Sequence, residues 1–229
     1  MSKMIAAMLL GTAALTASPA VTAKPAAARD WSSNVIATPQ GGYLMGNPAA
    51  KAKLVEYGSL SCSHCATFDK LSLPRLMPAL KAGTVAYEFR NYLLDPYDMA
   101  ATLVARCGGT KTFFPVLHQV MATQETWKAK IAEVGEARLK PLEGKPSREV
   151  MPVVADIAGF KAMGAARGLS AAKMQQCLSN EAEMERLVVM TETASEKFGV
   201  RGTPTFFVNN QRVSQNSWDA IDDAIKGAR

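Results

Sequence analysis

The distribution of apolar and polar residues predicts short β-strands near both ends of the chain. The segments KLVEYG (53–58) and TVAYEFRN (84–91) are short, rich in β-forming residues and bounded by turns, and the second alternates apolar and polar positions. One hairpin is predicted around Gly41-Gly42, and another around Asn209-Asn210, between TPTFFV and QRVSQ. We therefore expect β structure before residue 92 and again after Gly199.

A helix is predicted from Cys62, because the apolar residues that follow it recur at helical spacing. These residues are Cys65, Phe68, Leu71, Leu76, Met77 and Leu80. Pro74 and Pro78 are expected to interrupt the middle of this helix, and Gly83 is expected to end it. A strand, a helix and a strand within about 40 residues form a βαβ unit.

Residues 97–198 contain no convincing strand pattern and are rich in helix-forming residues, broken by glycine and proline. We expect four to five helices there, one of them capped by Ser170, and a final amphipathic helix over 217–228. The predicted fold class is α/β. A domain formed by residues 35–96 and 199–229 would carry an inserted helical domain of residues 97–198.

The first 23 residues have the pattern of a secretory signal peptide: Lys3, an uncharged apolar run, and small residues near the cleavage point. The run is shorter than the roughly 20 residues of a membrane span, which favours cleavage over an uncleaved anchor. We expect cleavage after Ala23, with Ala20 as the alternative, leaving a flexible leader over 24–34 that docks at Trp31. The protein is therefore expected in an oxidising compartment, the periplasm.

Charge is spread evenly along the chain. The net charge is +6 over 229 residues without a run of five like charges, which argues against nucleic-acid binding. Removal of the signal leaves 206 residues (229 − 23), enough for a hydrophobic core that does not depend on disulfides. Each of the four cysteines therefore requires a specific explanation.

Two of the cysteines form a Cys-x-x-Cys pair in the segment SLSCSHCATF. A structural zinc ion would need four ligands, and the remaining candidates, Cys107, Cys177 and His118, are far apart in the sequence. A purely structural disulfide between Cys62 and Cys65 would close a very small loop and stabilise the fold little. The third interpretation is a redox-active pair, which requires no metal and no cofactor beyond its own disulfide.

The two cysteines are expected to have different roles. Cys62 lies in the first turn of the predicted helix, where free N–H groups and the helix dipole favour the thiolate. A partly charged His64 would stabilise this thiolate further and make the disulfide easier to reduce, as in an oxidant; a solvated histidine is the alternative. Cys65, one turn deeper, would be the resolving thiol. Glu56 lies among apolar neighbours and could relay the Cys65 proton if it is buried, or lie unreactive at the sheet edge.

With EYGSLSCSHC followed far downstream by GVRGTPTFFVNN, the sequence resembles the thioredoxin superfamily, and within it the DsbA-like periplasmic thiol:disulfide oxidoreductases. The resemblance covers most of the chain and implies a thioredoxin fold with a helical insertion. It also implies that Pro204 is cis beside the active-site disulfide, and that the Thr203 hydroxyl approaches Cys62. Glu56 matches a buried acidic position of the family.

The same resemblance implies the reaction and the partners. Reduced or unfolded exported proteins would be oxidised at Cys62-Cys65 and held near Thr203, Pro204 and Ser63, where Ser63-His64 replaces the Pro-His of the best-known oxidases. A quinone-linked membrane protein of the DsbB type would reoxidise the pair, and the protein would be a monomer.

The resemblance extends to a second disulfide between Cys107 and Cys177, as in a subset of alphaproteobacterial relatives; two buried free thiols are the alternative. Two other functions remain open: a disulfide isomerase or reductase on the same scaffold, and a chaperone-like peptide binder whose cysteines are incidental.

Overall fold

The computed structural model describes residues 29–228 and contains one mixed sheet surrounded by helices. The strands are β1 (Val35–Ala37), β2 (Tyr43–Gly46), β3 (Ala52–Gly58), β4 (Val85–Asn91), β5 (Thr205–Val208) and β6 (Gln211–Arg212). The α-helices are α1 (Ser63–Leu71), α2 (Leu73–Ala82), α3 (Pro96–Arg106), α4 (Phe113–Ala122), α5 (Gln124–Leu139), α6 (Ser147–Ile157), α7 (Phe160–Ala165), α8 (Ala171–Leu178), α9 (Glu181–Phe198) and α10 (Trp218–Gly227). The predicted α/β class is confirmed.

The sheet has the strand order β1-β2-β4-β3-β5-β6. Strand β3 lies between β4, which is parallel to it, and β5, which is antiparallel. Both predicted hairpins are confirmed, since β1 pairs with β2 and β5 pairs with β6. Asn209 and Asn210 have φ angles of 46° and 67°, a conformation that asparagine tolerates better than most residues. Strands from before and after the helices α3 to α9 thus belong to one sheet, with β3 in its interior.

The helix predicted after Cys62 consists of two helices, and the predicted position of its interruption is partly wrong. The break falls at Ser72, before Pro74, which lies in the first turn of α2 where a backbone N–H has no helical acceptor. Pro78 lies inside α2 without ending it, between the buried Leu76 and Leu80. Packing of this apolar face outweighs the one hydrogen bond that proline removes.

Seven α-helices, α3 to α9, connect β4 to β5, rather than the four to five expected. We call residues 95–198, from the N-cap of α3 to the end of α9, the helical insertion. The prediction was too low because α7 and α8 have only six and eight residues and follow Gly159 and Gly168 closely. The capping role of Ser170 is confirmed, since its side chain accepts the Lys173 N–H.

The N-terminal part of the described chain corrects the predicted flexible leader. The signal over 1–23 and the first leader residues lie outside the described residues. Trp31 begins a 3₁₀ turn, and Asn34 donates from its side chain to the Gly46 carbonyl at 2.8 Å. Residues 31–34 therefore belong to the folded domain, because they satisfy backbone groups at the end of β2. No helix between residues 29 and 228 is long and apolar enough to cross a membrane.

Candidate active site

The cysteine pair lies where the central strand β3 leads into α1. The turn of residues 59–62, which we call the catalytic loop, follows β3 and places Cys62 at the N-cap of α1, one position before the helix begins. The Cys65 N–H donates to the Cys62 sulfur at 3.4 Å. Both residues are thiols in this structure; Cys62 is 9% exposed and Cys65 is fully buried. One sulfur therefore borders the surface and the other faces the core.

The local hydrogen bonds make Cys62 acidic. The pKa of Cys62 is lowered to about 5, and the hydrogen bond with the Cys65 thiol is the largest of the effects that lower it. The nearby Thr203 hydroxyl and the backbone N–H groups of Cys65 and His64 also lower this pKa, whereas burial raises it. Burial raises the pKa of Cys65 well above its usual value, and the hydrogen bond to Cys62 adds to this effect. At neutral pH Cys62 is a thiolate and Cys65 is a thiol.

The Thr203-Pro204 segment lies directly against Cys62. The peptide bond between these residues is cis, and the Cys62 sulfur lies 3.3 Å from the Thr203 carbonyl oxygen, to which it donates when it is protonated. The Asn216 side chain donates to the Pro204 carbonyl at 2.5 Å and fixes this segment from the other side. The Thr203 hydroxyl oxygen is buried without a hydrogen-bond partner among residues 29–228. Its O–H is therefore available to a Cys62 thiolate.

Glu56 lies on the buried face of β3 and not at a sheet edge. It is 1% exposed, and one carboxylate oxygen, Oε2, accepts a hydrogen bond from the Tyr87 hydroxyl at 2.5 Å. The other, Oε1, has no hydrogen-bond partner within the described part of the chain. Burial raises the pKa of Glu56 to about 8, although the Tyr87 hydroxyl opposes this shift. Glu56 therefore carries a proton at neutral pH.

Sequence reasoning missed Tyr87 as a partner of Glu56. Tyr87 pairs with Leu54 across the parallel β3–β4 ladder, so it occupies the same face of the sheet as Leu54 and Glu56. The alternation of β4 shows which face Tyr87 occupies, but the partner depends on the register between two strands about 30 residues apart.

Ser63 and His64 are exposed, and only His64 borders the groove beside the cysteines. This groove has a volume of about 400 Å³. Its lining includes His64, Thr67, Phe68, Leu71, Thr203, Pro204 and Trp218. Leu71 is 60% exposed at its edge. An apolar strip therefore continues from the sulfurs along α1.

The other two cysteines form a disulfide within the helical insertion. The Cys107 and Cys177 sulfurs are 2.10 Å apart and join the end of α3 to α8. His118, the other zinc candidate, contacts Asp69 with its Nδ1 atom at 2.6 Å. These residues therefore have partners of their own.

The central strand, the Cys-x-x-Cys pair at a helix start and the cis-proline facing it define a protein of the thioredoxin class. The chain belongs to this family, since the family model described as Thioredoxin matches residues 38–227.

Solved structures resemble the chain over most of its length. A crystal structure of protein-disulfide isomerase from Novosphingobium aromaticivorans is 31% identical, with a TM-score of 0.73 over 80% of this chain and 95% of that one. Alpha-DsbA1 from Wolbachia pipientis shares the fold, with 20% identity and a TM-score of 0.66 over 83% of this chain and 94% of that one.

A curated protein of Rickettsia conorii, named "Putative protein-disulfide oxidoreductase", is 27% identical over 187 residues, which are 81% of this chain and 59% of the relative. The chain thus spans about three fifths of the length of this relative.

Proposed function

We propose that this protein is a protein-disulfide oxidoreductase that acts as a dithiol oxidase on newly exported proteins. The observation that carries the proposal is the asymmetry of the two sulfurs: Cys62 has a pKa of about 5, whereas the pKa of Cys65 is raised. A stable Cys62 thiolate favours the reduced pair, so the Cys62-Cys65 disulfide readily takes electrons from a substrate.

The reaction balances as two thiol-disulfide exchanges. A substrate thiolate attacks the Cys62 sulfur, the Cys62-Cys65 bond breaks, and Cys65 leaves as a thiolate that takes the proton of Glu56. A second substrate thiolate then attacks the substrate sulfur of the mixed disulfide, and Cys62 leaves as a thiolate. Two electrons pass from the substrate dithiol to the cysteine pair. Attack by Cys65 instead releases the substrate reduced and restores the starting disulfide.

The surroundings of the pair support broad substrate selection. The backbone at Thr203 and Pro204 and the apolar strip at Leu71 would hold an extended chain mainly by main-chain and non-specific contacts. We infer a periplasmic monomer whose pair is reoxidised by a quinone-linked membrane protein of the DsbB type. The names of the relatives are consistent with the oxidoreductase class.

The deciding experiment equilibrates the protein with graded glutathione buffers and reads the state of Cys62 and Cys65 by alkylation and mass. A reduction potential near −120 mV, roughly the value of a strong oxidant, is expected. A value near −270 mV, roughly that of thioredoxin, would overturn the oxidase assignment.

A disulfide isomerase is the second candidate, because the similar Novosphingobium protein, at 31% identity, is named a protein-disulfide isomerase. An isomerase would restore activity to a substrate with scrambled disulfides when supplied in its reduced form, whereas an oxidase would act on a fully reduced substrate. A chaperone-like binder would keep its activity in Cys62→Ser, which both redox functions would lose.

A further inference from the structure

The helical insertion holds the catalytic loop with side chains that no sequence pattern indicated. The loop, residues 59–62, has no regular backbone ladder of its own, so its peptide groups need other partners. Three of these partners come from the start of α3 and the start of α5. They are Asp95, Asp98 and Gln124.

Of these three residues, Gln124 is the one that contacts the backbone of the reactive cysteine. Its side-chain Nε2 donates to the Leu60 carbonyl at 2.8 Å and to the Cys62 carbonyl at 3.0 Å. The residue is 4% exposed, and its Oε1 accepts from the Lys128 ammonium group at 3.2 Å. Because Lys128 can only donate, this contact sets which end of the amide faces the loop.

The two aspartates hold the other side of the loop. Asp98 is 1% exposed and accepts the Leu60 N–H at 2.9 Å. Asp95 accepts the Ser61 hydroxyl at 2.6 Å, and its other oxygen caps α3 by accepting the Asp98 N–H. The backbone of Leu60 is therefore held at its N–H by Asp98 of α3 and at its carbonyl by Gln124 of α5.

We propose that Gln124, Asp98 and Asp95 are positioning residues that hold the catalytic loop so that the Cys62 sulfur stays at the N-cap of α1, against Thr203. None of the three touches the reacting sulfur. They act through the backbone on either side of it, so the helical insertion sets the reactivity of Cys62 as well as supporting the fold. The proposal rests on Cys62 being the sulfur that forms the mixed disulfide in the proposed function, but not on the direction of electron transfer.

The test is the pH dependence of Cys62 alkylation by iodoacetamide in the reduced protein. Gln124→Met keeps the length of the side chain and removes both donors to the loop. We expect its alkylation midpoint to move to higher pH, with a change of about fivefold in the ionisation constant, the size of one lost hydrogen bond. The control Val154→Ala removes buried volume from α6 and no hydrogen bond to the loop, and its midpoint should stay at the wild-type value.

An unchanged midpoint in folded Gln124→Met, or an equal shift in Val154→Ala, would overturn the proposal. If Gln124→Met does not fold, Ser61→Ala decides, because it removes the hydroxyl that donates to Asp95 at 2.6 Å and lies 3.1 Å from the Ser59 hydroxyl. A shift of the Ser61→Ala midpoint to higher pH, smaller than the one expected for Gln124→Met, supports the proposal. An unchanged midpoint overturns it. The alkylation midpoint is a property of the protein alone, so it stays informative if the glutathione equilibrium contradicts the oxidase function.

Discussion

Glu56→Gln should make the protein more stable at neutral pH but not in mild acid. Glu56 has a pKa of about 8 in the folded protein, against an ordinary value of 4.5, which we take for the unfolded chain. A group whose pKa is raised by folding gives full stability below the unfolded value, and that stability is lost as the pH rises towards the folded value. The loss therefore falls between pH 4.5 and 8, where the unfolded chain releases the proton and the folded chain keeps it.

The magnitude follows from the width of this window. Between pH 4.5 and pH 7 the single carboxyl removes about 3 kcal/mol from the free energy of unfolding, since each pH unit of full effect is worth about 1.4 kcal/mol. Glutamine at position 56 cannot ionise, so the variant should not lose this amount. Cys62, with its lowered pKa, titrates in the opposite sense, and Asp98 also titrates near neutrality. Both are common to the two proteins, so only the difference between them isolates Glu56.

The assay is urea unfolding of the reduced wild type and of Glu56→Gln at pH 4.5 and pH 7, with a phosphine reductant that acts at both values. The difference between the two unfolding free energies should change by about 3 kcal/mol in favour of the variant as the pH rises. The exposed Glu192→Gln on α9 serves as the control and should follow the wild type. Equal pH dependence in wild type and Glu56→Gln would refute the reasoning, because it would mean that Glu56 is not a buried proton carrier.

Two further predictions concern the helical insertion. Replacing Cys107 and Cys177 together by alanine should lower the free energy of unfolding by about 4 kcal/mol, because the disulfide closes a loop with a sequence separation of 70 residues. The alkylation midpoint of Cys62 should not change. A shifted midpoint would contradict a purely structural role of this disulfide. Arg106→Leu should lower the free energy of unfolding by about 2–3 kcal/mol, because it leaves the Gly41 carbonyl without this donor and leaves Glu183 with Arg186, at 3.6 Å, as its cation. A loss below about 1 kcal/mol in urea unfolding would show that water replaces Arg106.

The parts of the fold that local patterns determine could be predicted from the sequence. The two hairpins depend on Gly41-Gly42 and Asn209-Asn210, which adopt turn conformations by their own chemistry. The cysteine pair at the start of a helix could be found for the same reason, because a strand followed by Cys-x-x-Cys is a local pattern.

The contacts that complete the candidate site could not be predicted in this way. Gln124 reaches the catalytic loop across 64 residues of sequence, from a position that looks like any polar residue at a helix start. The uninterrupted course of α2 through Pro78 likewise depends on the packing of Leu76 and Leu80 and not on local propensity. Tertiary packing decides both outcomes, and a single sequence does not display it.

The pairing of β5 with β3 joins segments that the ribosome makes at different times. Cys62 leaves the ribosome more than 140 residues before Thr203, the residue that contacts it, so an unfinished chain carries the pair without its facing segment. Residues 203–208 supply the cis-proline and strand β5, which pairs with β3 beside Glu56. The contribution of Thr203 to the acidity of Cys62 is thus absent until this segment has been synthesised and β5 has paired with β3.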